Sequence, residues 1–196
     1  MRARRGERCD VAIAGGGMVG LSLAAALAEL PLDVVVIEPV APDADLQPSF
    51  DSRTTALSNG SRRVLEGVGA WAAIAGRATP IRRIHVSERG QFGTAILTAE
   101  EQGVAALGHT IENRLLGQAL RERVAGFPRV RIRHDRVSGL DPGADASAIE
   151  TEGGERYTAR LVVAADGAQS SLRAALGVGA SSADYCQRAI VAHVDT

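Results

Sequence analysis

DVAIAGGGMVGLSLAAALAELPLDVVVIE, residues 10–38, decides the fold. Residues 10–14 form a short apolar run that stops at glycines. Met18 to Leu30 then reads as a helix rich in Ala and Leu, and Pro31 closes it. Asp33 to Glu38 is a β-branched strand apolar on both faces, the pattern of a strand buried in a parallel sheet. Strand, glycine turn, helix and strand within about 30 residues make a βαβ unit, right-handed by default.

The glycines have separate tasks. Gly15-Gly16-Gly17-Met18-Val19-Gly20 fits GxGxxG, a weak signal alone, but here it ends one strand and opens a helix. Gly15 permits the tight turn, Gly17 lets a pyrophosphate approach the backbone, and Gly20 allows close helix–sheet packing. Amides at the helix N-terminus then hold the phosphates. Glu38, at the end of the next strand, is placed to accept hydrogen bonds from an adenosine ribose, and its charge would repel a 2′-phosphate. The expectation is a dinucleotide site. FAD and NAD share this cradle, so the fingerprint leaves both open.

Composition removes several alternatives. The chain has 196 residues, 45% of them apolar, enough for one domain or a domain with a smaller second lobe. All 22 basic residues are arginine, against 23 acids, for a net charge of -1. That balance gives no basic field for nucleic acid. Without lysine there is no lysine Schiff base and no Walker A loop. Cys9 and Cys186 form no CxxC pattern, and His85, His109, His134 and His193 have no ligand spacing, so no metal site is expected. Arg2, Arg4, Arg5 and Arg8 before the apolar stretch 11–30 imitate a signal peptide, but Asp10 and the four glycines argue against an inserting helix.

Further along, residues 39–55 are loop-like, and a glycine-interrupted helix is expected from Ala56 to Ala75. Ile81–Ser87 and Gly93–Thr98 alternate like strands around ERGQFG, with 104–108 as a third, an antiparallel lobe inserted in the α/β domain. Glu112 to Phe127 reads as a second long helix. Val130 and Ile132 alternate with Arg129, Arg131 and Arg133, a strand with one wet face. A hairpin is expected across Gly153-Gly154, a buried strand over Leu161–Ala165, a short helix over 170–176 and a strand over 189–194. Arg53, in the loop after the βαβ unit, could reach ligand phosphate or could equally be a surface arginine. Asp166-Gly167 follows the apolar strand at its carboxyl end, where α/β sheets bind ligands, though an aspartate there suits a helix N-cap as well.

These segments resemble the FAD-dependent aromatic hydroxylases of ubiquinone biosynthesis. The resemblance runs through DVAIAGGGMVGLSLAAAL (10–27), DSRTTALSNGS (51–61), PIRRIHVSERGQFG (80–93), ALGHTIENRLLGQAL (106–120), RLVVAADGAQSSLR (160–173) and YCQRAIVAHV (185–194). It implies a Rossmann-like FAD-binding domain, a parallel sheet with an antiparallel meander, plus part of an inserted antiparallel substrate lobe. The implied division is 1–80 for the βαβ unit and first helix, 81–110 for part of the lobe, 111–180 for the rest of the FAD-binding domain, and 181–196 for the start of a substrate domain. Gly15, Gly17, Gly20 and Glu38 would hold the ADP half of FAD. By the same resemblance Arg53 and Arg114 would contact the flavin, and Asp166 the flavin and the nicotinamide cofactor. Val137, at the end of the arginine-rich strand, would touch adenine through its backbone.

The implied reaction uses NAD(P)H and O2, through a C4a-hydroperoxyflavin, to hydroxylate a polyprenylated phenol. No side chain is named as a catalytic acid or base, since His85 and His109 suit structural roles. Such a substrate lives in the bilayer, so a cytoplasmic protein that visits the membrane or a ubiquinone-biosynthesis complex is expected. The family's later GD motif and most of its substrate-domain sheet are absent. The chain therefore reads as the N-terminal half of a protein about twice as long, and turnover by it alone is not expected.

Overall fold

The computed structural model describes residues 6–41 and 53–188. Strand β1 (Glu7–Ala14) runs into helix α1 (Met18–Leu27), and the chain returns through β2 (Val34–Ile37). β2 pairs in parallel with β1 on one side and with β8 (Val130–Arg133) on the other. All four β2 residues are buried. Their side chains alternate: Val34 and Val36 join Val11 and Ile13 against α1, whereas Val35 and Ile37 join Ala12 on the opposite face. A strand covered on both sides has no place for a polar residue, which is why this run reads as unbroken β-branched sequence.

The full sheet has six strands, in the order β8-β2-β1-β11-β10-β9. β9 (Val137–Asp141), β10 (Ser147–Thr151) and β11 (Arg156–Ala164) form an antiparallel meander, while β11 also lies parallel to β1. The sequence pattern separates a hairpin arm ending near 158 from a buried strand beginning at Leu161; they are one nine-residue strand. β1 pairs with it from Tyr157 to Ala164, while β10 pairs only with its first part, as far as Ala159. Leu161, just beyond the last residues paired with β10, is exposed.

A second layer covers the helical face of this sheet. Helix α4 (Asn113–Ala125) buries Leu116, Ala119, Leu120 and Val124 in the same core as Leu21, Ala24 and Ala25 of α1. These residues recur at helical spacing, so one stripe of α4 meets α1 and the sheet. The stretch expected as a helix over 56–75 is instead β3 (Thr54–Ser58), α2 (Asn59–Gly67) and α3 (Trp71–Ile74). Ser58 starts α2 by accepting the Ser61 amide at 3.1 Å, and Gly69, with φ +75°, breaks the path between the helices. β3 forms a strand because β7 (Gly108–Glu112) pairs with it, a contact 54 residues away that local sequence does not signal.

β7 also pairs with β4 (Thr79–Ile81), so the strand expected at 104–108 begins at Gly108 and runs to Glu112. β5 (Arg83–Ser87) and β6 (Thr94–Thr98) form a separate hairpin. One hairpin face is wholly apolar, Ile84, Val86, Ala95 and Leu97, and all four are exposed. Helix α5 (Ser171–Ala175) follows β11. The strand expected over 189–194, the arginines at 2–5 and most of the loop expected over 39–55 lie outside the described residues. No helix among the described residues is long and apolar enough to cross a membrane, and none of their His, Cys, Asp and Glu side chains cluster as a metal site would require.

Candidate functional site: a nucleotide cleft at the carboxyl ends of the parallel strands

β1, β2 and β11 point their carboxyl ends to one edge of the sheet, and an open cleft of about 600 Å³ lies there. Gly15, Gly17, Glu38, Val137 and Asp166 all contribute to its walls. Ligands of open α/β sheets bind at such an edge because loops leave adjacent strands there and helix N-termini face the gap.

Gly15 has φ +102°, and a β-carbon on it would stand 2.3 Å from the Ala165 carbonyl oxygen. The β1 turn therefore abuts the β11 turn, and only glycine fits between them. Gly20 lies outside the cleft lining, but its role is equally steric: a β-carbon there would stand 1.9 Å from the Gly15 carbonyl oxygen. Gly17 is the N-cap of α1, in extended conformation, with no side chain to close the helix end; the first turn carries no acid. The helix thus presents its N-terminal amides and the positive end of its dipole without a competing anion from that turn.

Glu38 closes the opposite rim. Its Oε2 accepts the Gly16 amide at 2.6 Å and its Oε1 accepts the Val40 amide at 3.0 Å. This ties the tip of the second strand to the glycine turn and fixes the carboxylate at the cleft wall. Val137 belongs to that wall as the first residue of β9; it does not end the arginine-rich strand, which stops at Arg133. The intervening loop turns because Asp135 accepts the amides of Arg136 at 2.7 Å and Gly153 at 3.0 Å.

Asp166 caps α5 and lines the cleft. Its Oδ2 accepts the Ser171 amide at 2.8 Å and the Leu172 amide at 3.3 Å, sharing the cap of α5 with Ser170, whose Oγ accepts the Arg173 amide. It also lines the cleft, and its Oδ1 is buried with no hydrogen-bond partner. Burial works to raise the carboxyl pKa, but hydrogen bonds from Ser170 and from the amides of Leu172 and Ser171 outweigh it and hold the group below the usual carboxylate value. An ionised wall carboxylate with an unfilled acceptor suits a ligand rich in hydroxyl groups.

Arg53 and Arg114 do not line this cleft. They lie together at the start of α4, where the Asn113 amide donates to the Arg53 carbonyl at 2.8 Å. Arg114 is exposed and pairs with Glu112 at 3.1 Å. Sequence reasoning missed Arg136, Gln169 and Ser171 in the cleft wall. Ser171 had a signal, because a serine shortly after Asp-Gly at a helix start points back at the aspartate; Arg136 had none beyond its place beside Val137.

A family model described as an FAD-binding domain matches residues 8–195. The chain belongs to that family. It is 37% identical over 188 residues to ubiquinone hydroxylase UbiL of Rhodospirillum rubrum, covering 95% of this chain and 43% of the relative. It is also 37% identical over 190 residues to the 3-demethoxyubiquinol 3-hydroxylase of Escherichia coli, covering 94% and 48%. The chain thus spans just under half the length of these relatives. Among solved structures, p-nitrophenol 4-monooxygenase PnpA of Pseudomonas putida superposes with TM-score 0.72 at 26% identity, covering 87% of this chain and 44% of that one. The flavin-dependent monooxygenase PieE, solved with FAD and substrate, shares the fold at TM-score 0.74 and 18% identity, over 90% and 33%.

The cleft fits the ADP half of FAD on its own geometry. The glycine turn leaves room where side chains would project, the helix end presents amides, and Asp166 retains an acceptor.

Proposed function

We propose that this chain is the FAD-binding part of a monooxygenase that hydroxylates a polyprenylated phenol in ubiquinone biosynthesis, with NAD(P)H and O2 as co-substrates. The convergence of Gly15, Gly17, Glu38, Val137 and Asp166 on one cleft carries the nucleotide part of this reading. The similarity to ubiquinone hydroxylase UbiL and to the 3-demethoxyubiquinol 3-hydroxylase supports the choice of pathway. We read the segments quoted above as resembling those of the 2-octaprenyl-6-methoxyphenol hydroxylase.

FAD, when bound, supplies the electron transfer from NAD(P)H and the activation of oxygen. The α1 amides beyond Gly17 hold the pyrophosphate, and Glu38 accepts from the adenosine ribose. Val137 and Arg136 form the adenine wall, and Asp166 accepts from a hydroxyl of the cofactor through its unfilled oxygen. Arg53 and Arg114, beside one another at the start of α4, serve the flavin end. The phenol's prenyl tail places the whole protein at a membrane surface or in a membrane-associated biosynthetic complex, acting from the cytoplasm.

The test is the visible spectrum of the chain loaded with FAD, before and after anaerobic NADH, followed by product analysis on the longer protein with prenylated and simple phenols. Bound flavin and hydroxylation confined to the prenylated phenol support the proposal. Binding of NAD without flavin would point to a dehydrogenase instead.

A further inference from the structure

Among the described residues that line the nucleotide cleft, Arg136 alone is basic, against the acids Glu38 and Asp166. It immediately precedes β9, and its backbone is tied to the turn between β10 and β11. Asp135 accepts the Arg136 amide at 2.7 Å and the Gly153 amide at 3.0 Å, and the Arg136 carbonyl accepts the Glu152 amide at 2.9 Å. A β-carbon on Gly153 would stand 2.5 Å from the Asp135 Oδ2, so glycine lets the carboxylate come this close. The glycine pair read from the sequence as a hairpin turn thus also anchors a wall of the cleft.

The Arg136 side chain is far less confined than its backbone. It is 64% exposed, and the Glu152 Oε1 lies 3.7 Å from its Nε. That ion pair engages one nitrogen and leaves much of the planar group open to a ligand. The surroundings suit a flat, uncharged ring. Val40 donates its amide to the Glu38 Oε1 at 3.0 Å, and Pro39 and Val40 line the cleft together with Val137. A base joined to a ribose held by Glu38 therefore enters a part of the cleft walled by apolar side chains and one guanidinium.

We propose that Arg136 determines specificity for the base: its guanidinium lies flat against the adenine ring, so the cleft prefers a nucleoside diphosphate to a sugar diphosphate. The inference rests on the assignment of Glu38 to the adenosine ribose. A guanidinium is planar and weakly hydrated and stacks on aromatic faces, whereas a lysine ammonium is a compact, strongly hydrated charge. Glu152 and Asp135 hold the arginine in place and do not touch the ligand.

The test is calorimetric titration of the full 196-residue chain with ADP and with ribose 5-diphosphate, which has the sugar and both phosphates but no base. Arg136→Ala keeps the fold, because the backbone and not the side chain ties this turn. It is expected to weaken ADP about tenfold, the size of a partly desolvated cation–π contact, and ribose 5-diphosphate less than about twofold. Arg136→Lys is expected to lose nearly as much as the alanine variant, and Arg136→Tyr, which has a flat face without a charge, to keep most of the ADP affinity. Equal losses for both ligands in Arg136→Ala, or full ADP affinity in Arg136→Lys, would make Arg136 a phosphate contact and overturn the proposal. A wild-type chain that binds both ligands equally also overturns it, while leaving the ribose and phosphate assignments standing. A wild-type chain that binds neither overturns the nucleotide reading itself.

Discussion

Gly20 sits so close to Gly15 that a β-carbon on Gly20 would lie 1.9 Å from the Gly15 carbonyl oxygen. The first turn of α1 is thereby pressed onto the end of β1, and this contact sets the angle at which the helix N-terminus faces the cleft. Gly20→Ala forces the helix away from the strand. It is expected to lower stability by about 2 kcal/mol, typical of overpacking, and to weaken ADP binding. A drop in the thermal midpoint of about 4–8 °C is the corresponding readout. An alanine variant as stable as the wild type would mean that the contact is loose in solution.

Asp166 links pH to stability. Its folded-state pKa lies below the unfolded value, so the stability it contributes is complete above that value and disappears as pH falls through the folded pKa. Asp135, whose pKa is lowered chiefly by a hydrogen bond from Thr151, acts with the same sign. Urea midpoints should therefore be flat near neutrality and fall below about pH 4. Asp166→Ala should cost about 1 kcal/mol at pH 7 through the lost α5 cap, and part of the acid-side slope should vanish with it.

The two cysteines should differ in reactivity. Cys9 is half-buried on the sheet, and burial pushes its thiol up to about 11 despite the nearby Arg131. Cys186 is exposed. Since the thiolate is the reactive species, alkylation of the folded chain at pH 8 should modify Cys186 and spare Cys9, with both reacting in denaturant. Mass spectrometry of the labelled peptides checks this. Rapid labelling of Cys9 would show that β1 opens at its first residues.

The βαβ unit was legible in the sequence because its signals are local: VVVI is buried on both faces, and GGGMVG ends one element and begins the next. Glu38 and Asp166 could be placed at strand ends for the same reason. Elements that exist only through a distant partner were not legible. TTALS becomes β3 because it pairs with GHTIE, and β11 is one strand because β1 pairs with it from Tyr157 to Ala164, past the end of its pairing with β10.

The β5–β6 hairpin gives a contrasting expectation. Val86 is 58% exposed on the apolar face of that hairpin. Val86→Glu should change the stability of this chain by less than about 0.5 kcal/mol, whereas Leu120→Ala, at a fully buried site, should cost about 2–5 kcal/mol. Comparable costs would mean that the hairpin face is covered in solution.

Retention of flavin tests the central claim most directly. The chain is mixed with FAD or with FMN, freed of unbound nucleotide by desalting, and its visible absorption is recorded with and without competing ADP. The cleft described here recognises the ADP half, so FAD should be retained, FMN should not, and ADP should displace FAD. Equal retention of FMN, or FAD that ADP does not displace, would contradict the assignment of Gly15, Gly17, Glu38 and Asp166 to the nucleotide.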